Sequence, residues 1–148
     1  MKNTILKYFD LPQGITEEEK PLYHYNCAEA ILHAARDKYG LNLSEETLNA
    51  IIPFGGGMSS RRTCGIISGA VATIGIMFGN QKPCDQQCVR SVANEFVERF
   101  IKEFGSDQCT YLLIMKAPTE EKCRPVILRG CEILDEVIEN NKDKIIKK

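Results

Sequence analysis

Cysteine is the residue type through which this chain can do chemistry, and Cys64 has the setting that most favours it. It follows the only glycine cluster in the sequence, Phe54-Gly55-Gly56-Gly57-Met58, and the basic pair Arg61-Arg62, and it stands where a long apolar segment begins. If that segment is helical, its first N–H groups are unpaired and carry partial positive charge. Arginines and a helix N-terminus both lower a cysteine pKa, so the sequence predicts a thiolate at Cys64, able to attack an electrophile or bind a metal. The same position also suits a structural cysteine packed where the loop meets the core. Gly55, Gly56 and Gly57 are expected to let backbone pass close to sulfur, with Arg61 and Arg62 supporting the negative charge. An anion cradle is a weaker use of the loop, because it lacks the Gly-Lys-Ser/Thr ending of a P-loop and no strand precedes it.

Cys109 and Cys123 repeat this geometry, each at the expected start of a helix, and Cys27 lies in the first turns of another, after Asn26. Four such helix starts, brought together, would surround one small centre with sulfur. Cys84 and Cys88 are four apart at the beginning of the expected fourth helix, on one face, where they could clamp a soft metal or be unrelated. Cys131 falls on an apolar stripe and reads as core. His24, three residues before Cys27, is the better placed of the two histidines to assist proton transfer, and His33 reads as a core partner. No Ser-His-Asp order or HExxH is present, so hydrolase chemistry has no support.

Seven cysteines in 148 residues is an odd number, and the sequence shows no export signal. A fully paired disulfide framework is thus disfavoured, and a reducing cytoplasmic setting is expected. The net charge of -1 supplies no field to gather nucleic acid. The longest weakly polar run, Cys64 to Phe78, is interrupted by glycines and falls short of the roughly 20 apolar residues of a spanning helix, so the protein is not expected to be membrane-embedded.

The elements that must position these thiols are helices. Thr16 and Glu19 have capping-box spacing and open a helix or short turn; helical periodicity then places a first long helix over about residues 22–39, ending at Gly40. Ser44 opens a second, closed at Pro53. A third, apolar on nearly every face, runs from Thr63 to Phe78 and marks the centre of the molecule, with Gly65 and Gly69 placed for close backbone approach. A fourth follows Pro83 and carries Val89, Val92, Ala93, Phe96, Phe100 and Phe104 to Gly105. A short one spans about Cys109 to Met115, and a last one carries Val126, Ile127, Cys131, Leu134, Val137 and Ile138. The predicted architecture is all-α: a single domain over residues 1–148, a bundle of about five to six helices around a buried central helix, with a flexible basic tail over about 141–148.

The cysteine pattern resembles that of the C_GCAxxG_C_C family of redox-active proteins. The match consists of Cys27-Ala28-Glu29-Ala30-Ile31-Leu32, the Phe54–Met58 loop, Cys64-Gly65-Ile66-Ile67-Ser68-Gly69-Ala70, Cys109-Thr110-Tyr111-Leu112-Leu113 and Cys123-Arg124-Pro125-Val126, spanning about residues 22–138. Ile66 stands where the family pattern has alanine. The resemblance implies a redox or metal role for Cys27, Cys64, Cys109 and Cys123, and leaves Cys84, Cys88 and Cys131 outside the pattern. Three functions follow as expectations: a protein holding an iron–sulfur cluster, or zinc, on those four thiolates and serving a redox partner protein; a thiol–disulfide oxidoreductase or redox sensor with Cys64 as the attacking thiolate; or a helical interaction protein whose cysteines only fill its core.

Overall fold

A computed structural model describes residues 1–82, 85–116 and 123–146. Among them are seven α-helices and no strand: α1 (Lys2–Leu6), α2 (Cys27–Tyr39), α3 (Glu45–Ala50), α4 (Gly65–Phe78), α5 (Gln87–Phe104), α6 (Cys109–Met115) and α7 (Arg124–Asn140). The element beyond the expected five to six is α1, a single short helix whose Ile5 is completely buried.

The first long helix begins at Cys27 rather than near residue 22, and the reason is local. Asn26 has extended backbone, its side chain accepts from the N–H groups of Ala28 and Glu29, and the Glu29 carboxylate accepts from the Asn26 N–H. This closed capping box fixes the helix start. Upstream, Thr16 and Glu19 pair as expected but lead only to a 3-10 turn over Lys20–Tyr23, with Pro21 inside it. Helix α3 ends at Ala50, before the expected Pro53, and a second 3-10 turn over Ile52–Phe54 takes up the difference.

Helix α4 is the axis of the molecule. It packs on α2, α5 and α7, and Ile66, Ile67, Ala70, Thr73, Ile74, Met77 and Phe78 are all buried. Thr73 is tolerated there because its hydroxyl donates to the Gly69 carbonyl at 2.9 Å. Phe96, Phe100 and Phe104 form the inner stripe of α5, with successive ring centroids 6.0 and 4.7 Å apart. On α7 the predicted stripe is buried, Cys131 included.

Over its described residues the C-terminal segment is tied to the core. Lys142–Lys144 forms a 3-10 turn, Ile145 packs on the main core, and the Ile146 N–H donates to the Met77 carbonyl at 3.0 Å. Asn141, buried, donates to Glu95 and to the Val137 carbonyl, both at 2.9 Å. The apolar residues Ile145 and Ile146 hold this stretch down despite its lysines.

No described helix is long and apolar enough to cross a membrane.

Candidate thiol centre

Each of the four cysteines singled out by the sequence sits at a helix start. Cys27 and Cys109 are the first residues of α2 and α6, and Cys64 and Cys123 immediately precede α4 and α7. None of the six described cysteines is in a disulfide.

Two of these starts are tied by backbone. Thr63 and Gln108 form an isolated antiparallel bridge. The Cys64 N–H donates to the Asp107 carbonyl at 2.8 Å and the Cys109 N–H to the Arg62 carbonyl at 2.7 Å. Side chains alternate across such a pairing, so Cys64 and Cys109 share the face opposite to Thr63 and Gln108. That face is the inner one: Cys64 and Cys109 are 5% and 6% exposed, whereas Gln108 is exposed.

Cys27 completes the group from α2. A Cβ placed on Gly65 would lie 2.4 Å from Cys27 Sγ and 3.0 Å from the Phe54 carbonyl oxygen, so only glycine fits beside Cys64. The loop between closes over the other side. Gly56, Gly57, Met58, Ser59 and Arg61 all have left-handed backbone, with φ from 53° to 69°. The turn is closed by the Arg62 N–H donating to the Gly57 carbonyl at 3.0 Å, and by Ser59 and Ser60 hydroxyls donating to the carbonyls of Pro53 and Gly57, each at 3.1 Å. A Cβ on Gly57 would meet Cys109 Cβ at 2.6 Å. Left-handed geometry costs a non-glycine residue roughly 1–2 kcal/mol. Met58, Ser59 and Arg61 accept that cost in the stretch that wraps the sulfurs, and strain of this kind concentrates at functional sites.

The three thiols interact electrostatically. Burial foremost, with smaller contributions from Cys27 and Cys109, pushes the Cys64 thiol up to about 12; the amides of Ile66 and Ile67 oppose the rise without closing a capping hydrogen bond. Burial likewise raises Cys27, against the Gly56 and Ala28 amides that face it, and Cys109 adds to the rise. The thiolate expected at Cys64 is therefore a neutral thiol in the protein as folded. Desolvation outweighs the amides of the helix start, and Arg61 and Arg62, expected to assist it, are exposed.

Cys123 is partly buried against the same main core. Cys131 lies apart, beside Lys38, Asp135 and the Met1 ammonium, and burial holds its thiol at about 12. Cys88 is exposed in the first turn of α5, and Cys84 lies outside the described residues, so the expected clamp between them has no described geometry. His24 is exposed and lines a cavity of about 300 Å³ with Tyr23 and Tyr25. His33 packs between Tyr8 and Tyr25, its Nδ1 buried without a hydrogen-bond partner.

The chemistry of four thiols suits iron–sulfur or zinc ligation, but among the described residues no group of three or more Cys, His, Asp or Glu side chains is arranged to hold a metal ion. As folded, Cys27, Cys64 and Cys109 form a packed thiol cluster. The close approach expected at Gly65 is present, with Cys27 as the neighbour. Sequence reasoning missed the cap at Asn26 and the Thr63–Gln108 bridge. Asn26 had a visible signal, a cap residue three before glutamate; the bridge had none.

Fold and site together define an all-helical protein built around a buried cysteine cluster. A family model described as "Putative redox-active protein (C_GCAxxG_C_C)" matches residues 25–137, and the chain belongs to that family. No curated protein and no solved structure matches the chain.

Proposed function

We propose that the protein is a thiol–disulfide redox protein whose centre is Cys27, Cys64 and Cys109. The observation that carries this reading is the convergence of three helix starts on one buried cluster, in which the charge state of each thiol bears on the others. Grouped, reduced thiols next to strained backbone suit a two-electron exchange. Two thiols lose two electrons and two protons and join as a disulfide, while a disulfide on a partner molecule gains them and becomes two thiols. The neutral, buried state protects the cluster from casual oxidation, since the thiolate is the reactive form. Cys64 remains the residue on which the reading turns, as a thiol that ionises only when its surroundings open or a reactant replaces water around it.

A second reading, a soft-metal centre on Cys27, Cys64, Cys109 and Cys123, is supported by the amides that face Cys27 and Cys64, because N–H groups directed at sulfur stabilise thiolate ligands. It takes Cys123, which packs against the same main core, as the fourth ligand.

One experiment separates the two. Protein purified without oxygen is analysed for metal and by visible absorption, then treated with oxidised dithiothreitol, alkylated and mapped by mass spectrometry. The expected result is no stoichiometric metal and a reversible disulfide between two of Cys27, Cys64 and Cys109. Stoichiometric iron or zinc, lost on replacing Cys109 with serine, would transfer the function to the metal centre. Neither a metal nor a reversible disulfide would leave the cysteines as core residues.

A further inference from the structure

The three cluster thiols differ in how far they are shut in. Cys64 and Cys109 are 5% and 6% exposed, whereas Cys27 is only half-buried. The loop that wraps them accounts for the difference. Gly57 is packed down on Cys109, with a Cβ there 2.6 Å from Cys109 Cβ and 2.7 Å from the Arg62 nitrogen. The Thr63–Gln108 bridge holds Cys64 and Cys109 to the same inner face. Cys27 meets Gly56 instead, whose amide is directed at its sulfur, and a Cβ on Gly56 would have no atom within 4 Å. The loop is therefore closed over Cys109 and open beside Cys27.

Cys27 also reaches inward. Its sulfur lies against Gly65, where a Cβ would be 2.4 Å away, and Gly65 is the chain neighbour of Cys64. Charge on Cys27 bears on Cys64, and charge on Cys109 bears on Cys27. A thiol at the open edge of the loop that also packs on two sealed thiols is placed to pass a bond from outside to inside. Cys27 is moreover the first residue of α2, and the Ala28 amide joins that of Gly56 in facing it, so N–H groups are in place for negative charge as it forms. We propose that Cys27 is the catalytic thiol that meets the incoming disulfide, with Cys64 and Cys109 oxidised only through it. This rests on the thiol–disulfide reading and assigns its first step.

Cys27 gives up its proton and attacks one sulfur of the reactant. The reactant's S–S bond breaks, its distal half leaves as a thiolate that takes up a proton, and its near half stays on Cys27 as a mixed disulfide. One of the sealed thiols, Cys64 or Cys109, then loses its proton and attacks Cys27 Sγ. The mixed S–S bond breaks, and the second half of the reactant leaves as a thiolate that is protonated in turn. The protein has lost two electrons in forming a disulfide at Cys27, and the reactant has gained two as a pair of thiols.

The test uses the full reduced chain and hydroxyethyl disulfide, a small neutral reactant, with samples quenched in acid, alkylated and mapped by mass spectrometry. Cys27→Ser should slow formation of any disulfide between Cys64 and Cys109 by about tenfold or more, because access to sulfur sets the rate of exchange. Its far-ultraviolet circular dichroism and the slow alkylation of Cys64 and Cys109 should match those of the natural chain, which a merely structural role for Cys27 would not allow. Cys64→Ser and Cys109→Ser supply a second measurement that does not depend on how Cys27→Ser folds. Whichever of them lacks the resolving thiol should accumulate the mixed disulfide, and within the cluster it should sit on Cys27. A mixed disulfide on Cys64 or Cys109 in a folded chain, or an unchanged rate of Cys64–Cys109 closure in folded Cys27→Ser, would overturn the proposal while leaving the thiol–disulfide reading in place. If the reagent oxidises none of the three thiols in the natural chain, that reading fails and this inference fails with it.

Discussion

Cys64 shows how burial can reverse what a local motif implies. Its pKa is raised by desolvation, so in the fold it stays protonated up to about pH 12, while in the unfolded chain it ionises near 9. The sign follows from linkage: below pH 9 both states keep the proton and the full stability is present; between 9 and 12 the unfolded chain loses its proton first, and stability falls. The loss is at most about 1.4 kcal/mol per pH unit for each such thiol, and Cys131 behaves in the same way. Urea midpoints across pH 8 to 10.5 should therefore drop more steeply for the natural chain than for Cys64→Ala; parallel slopes would contradict the buried neutral thiol. Gly65 offers a second test at this scale. With Cys27 Sγ 2.4 Å from where a Cβ would be, Gly65→Ala should cost about 1–3 kcal/mol. In a Cys27→Ala background the same change should cost clearly less, leaving the milder contact with the Phe54 carbonyl. Additive losses would mean that the sulfur is not what Gly65 accommodates.

Helix α4 carries three glycines with different environments, and comparing two of them isolates its packing. A Cβ on Gly69 would lie 2.7 Å from the Ala28 carbonyl oxygen and 3.0 Å from Ile31 Cβ, whereas Gly75 faces open space. Gly69→Ala should thus destabilise by about 1–3 kcal/mol by forcing α2 away. Gly75→Ala should stabilise by up to about 1 kcal/mol through helix propensity alone. Thermal or urea unfolding of the two variants decides this, and equal effects would rule out the close α2–α4 contact. These helices were legible in the sequence because their signals are local: Ser44 and Gly40 mark ends, and the stripe from Val92 to Phe104 fixes a face. The same local chemistry put Cys27, Cys64, Cys109 and Cys123 at helix starts. Their convergence was not legible, because it depends on a backbone bridge between residues 45 positions apart and on left-handed turns that Met58 and Ser59 do not advertise. Nor was the neutral state of Cys64, since desolvation is a property of the assembled core.

For the molecule as a whole, exposure sorts the thiols into classes that a single reagent can read. Cys88 is exposed, Cys27 and Cys123 are half-buried, and Cys64, Cys109 and Cys131 are buried. Of the described cysteines, iodoacetamide under native, reducing conditions should label Cys88 first, and Cys64, Cys109 and Cys131 only at rates that rise with denaturant. Early labelling of Cys64, followed by peptide mass spectrometry, would mean that the cluster opens readily. The wrapped loop sets a further limit on this chain. From Gly56 to Cys64 each residue is committed, either to a left-handed turn, to the Pro53 or Gly57 carbonyl, or to the bridge with Asp107, Gln108 and Cys109. Most surface loops tolerate changes of length; this one has no slack, since one residue added or removed would put the Arg62 carbonyl out of step with Cys109 and separate the thiols. Its length, more than the identity of its exposed side chains, is what the protein must keep.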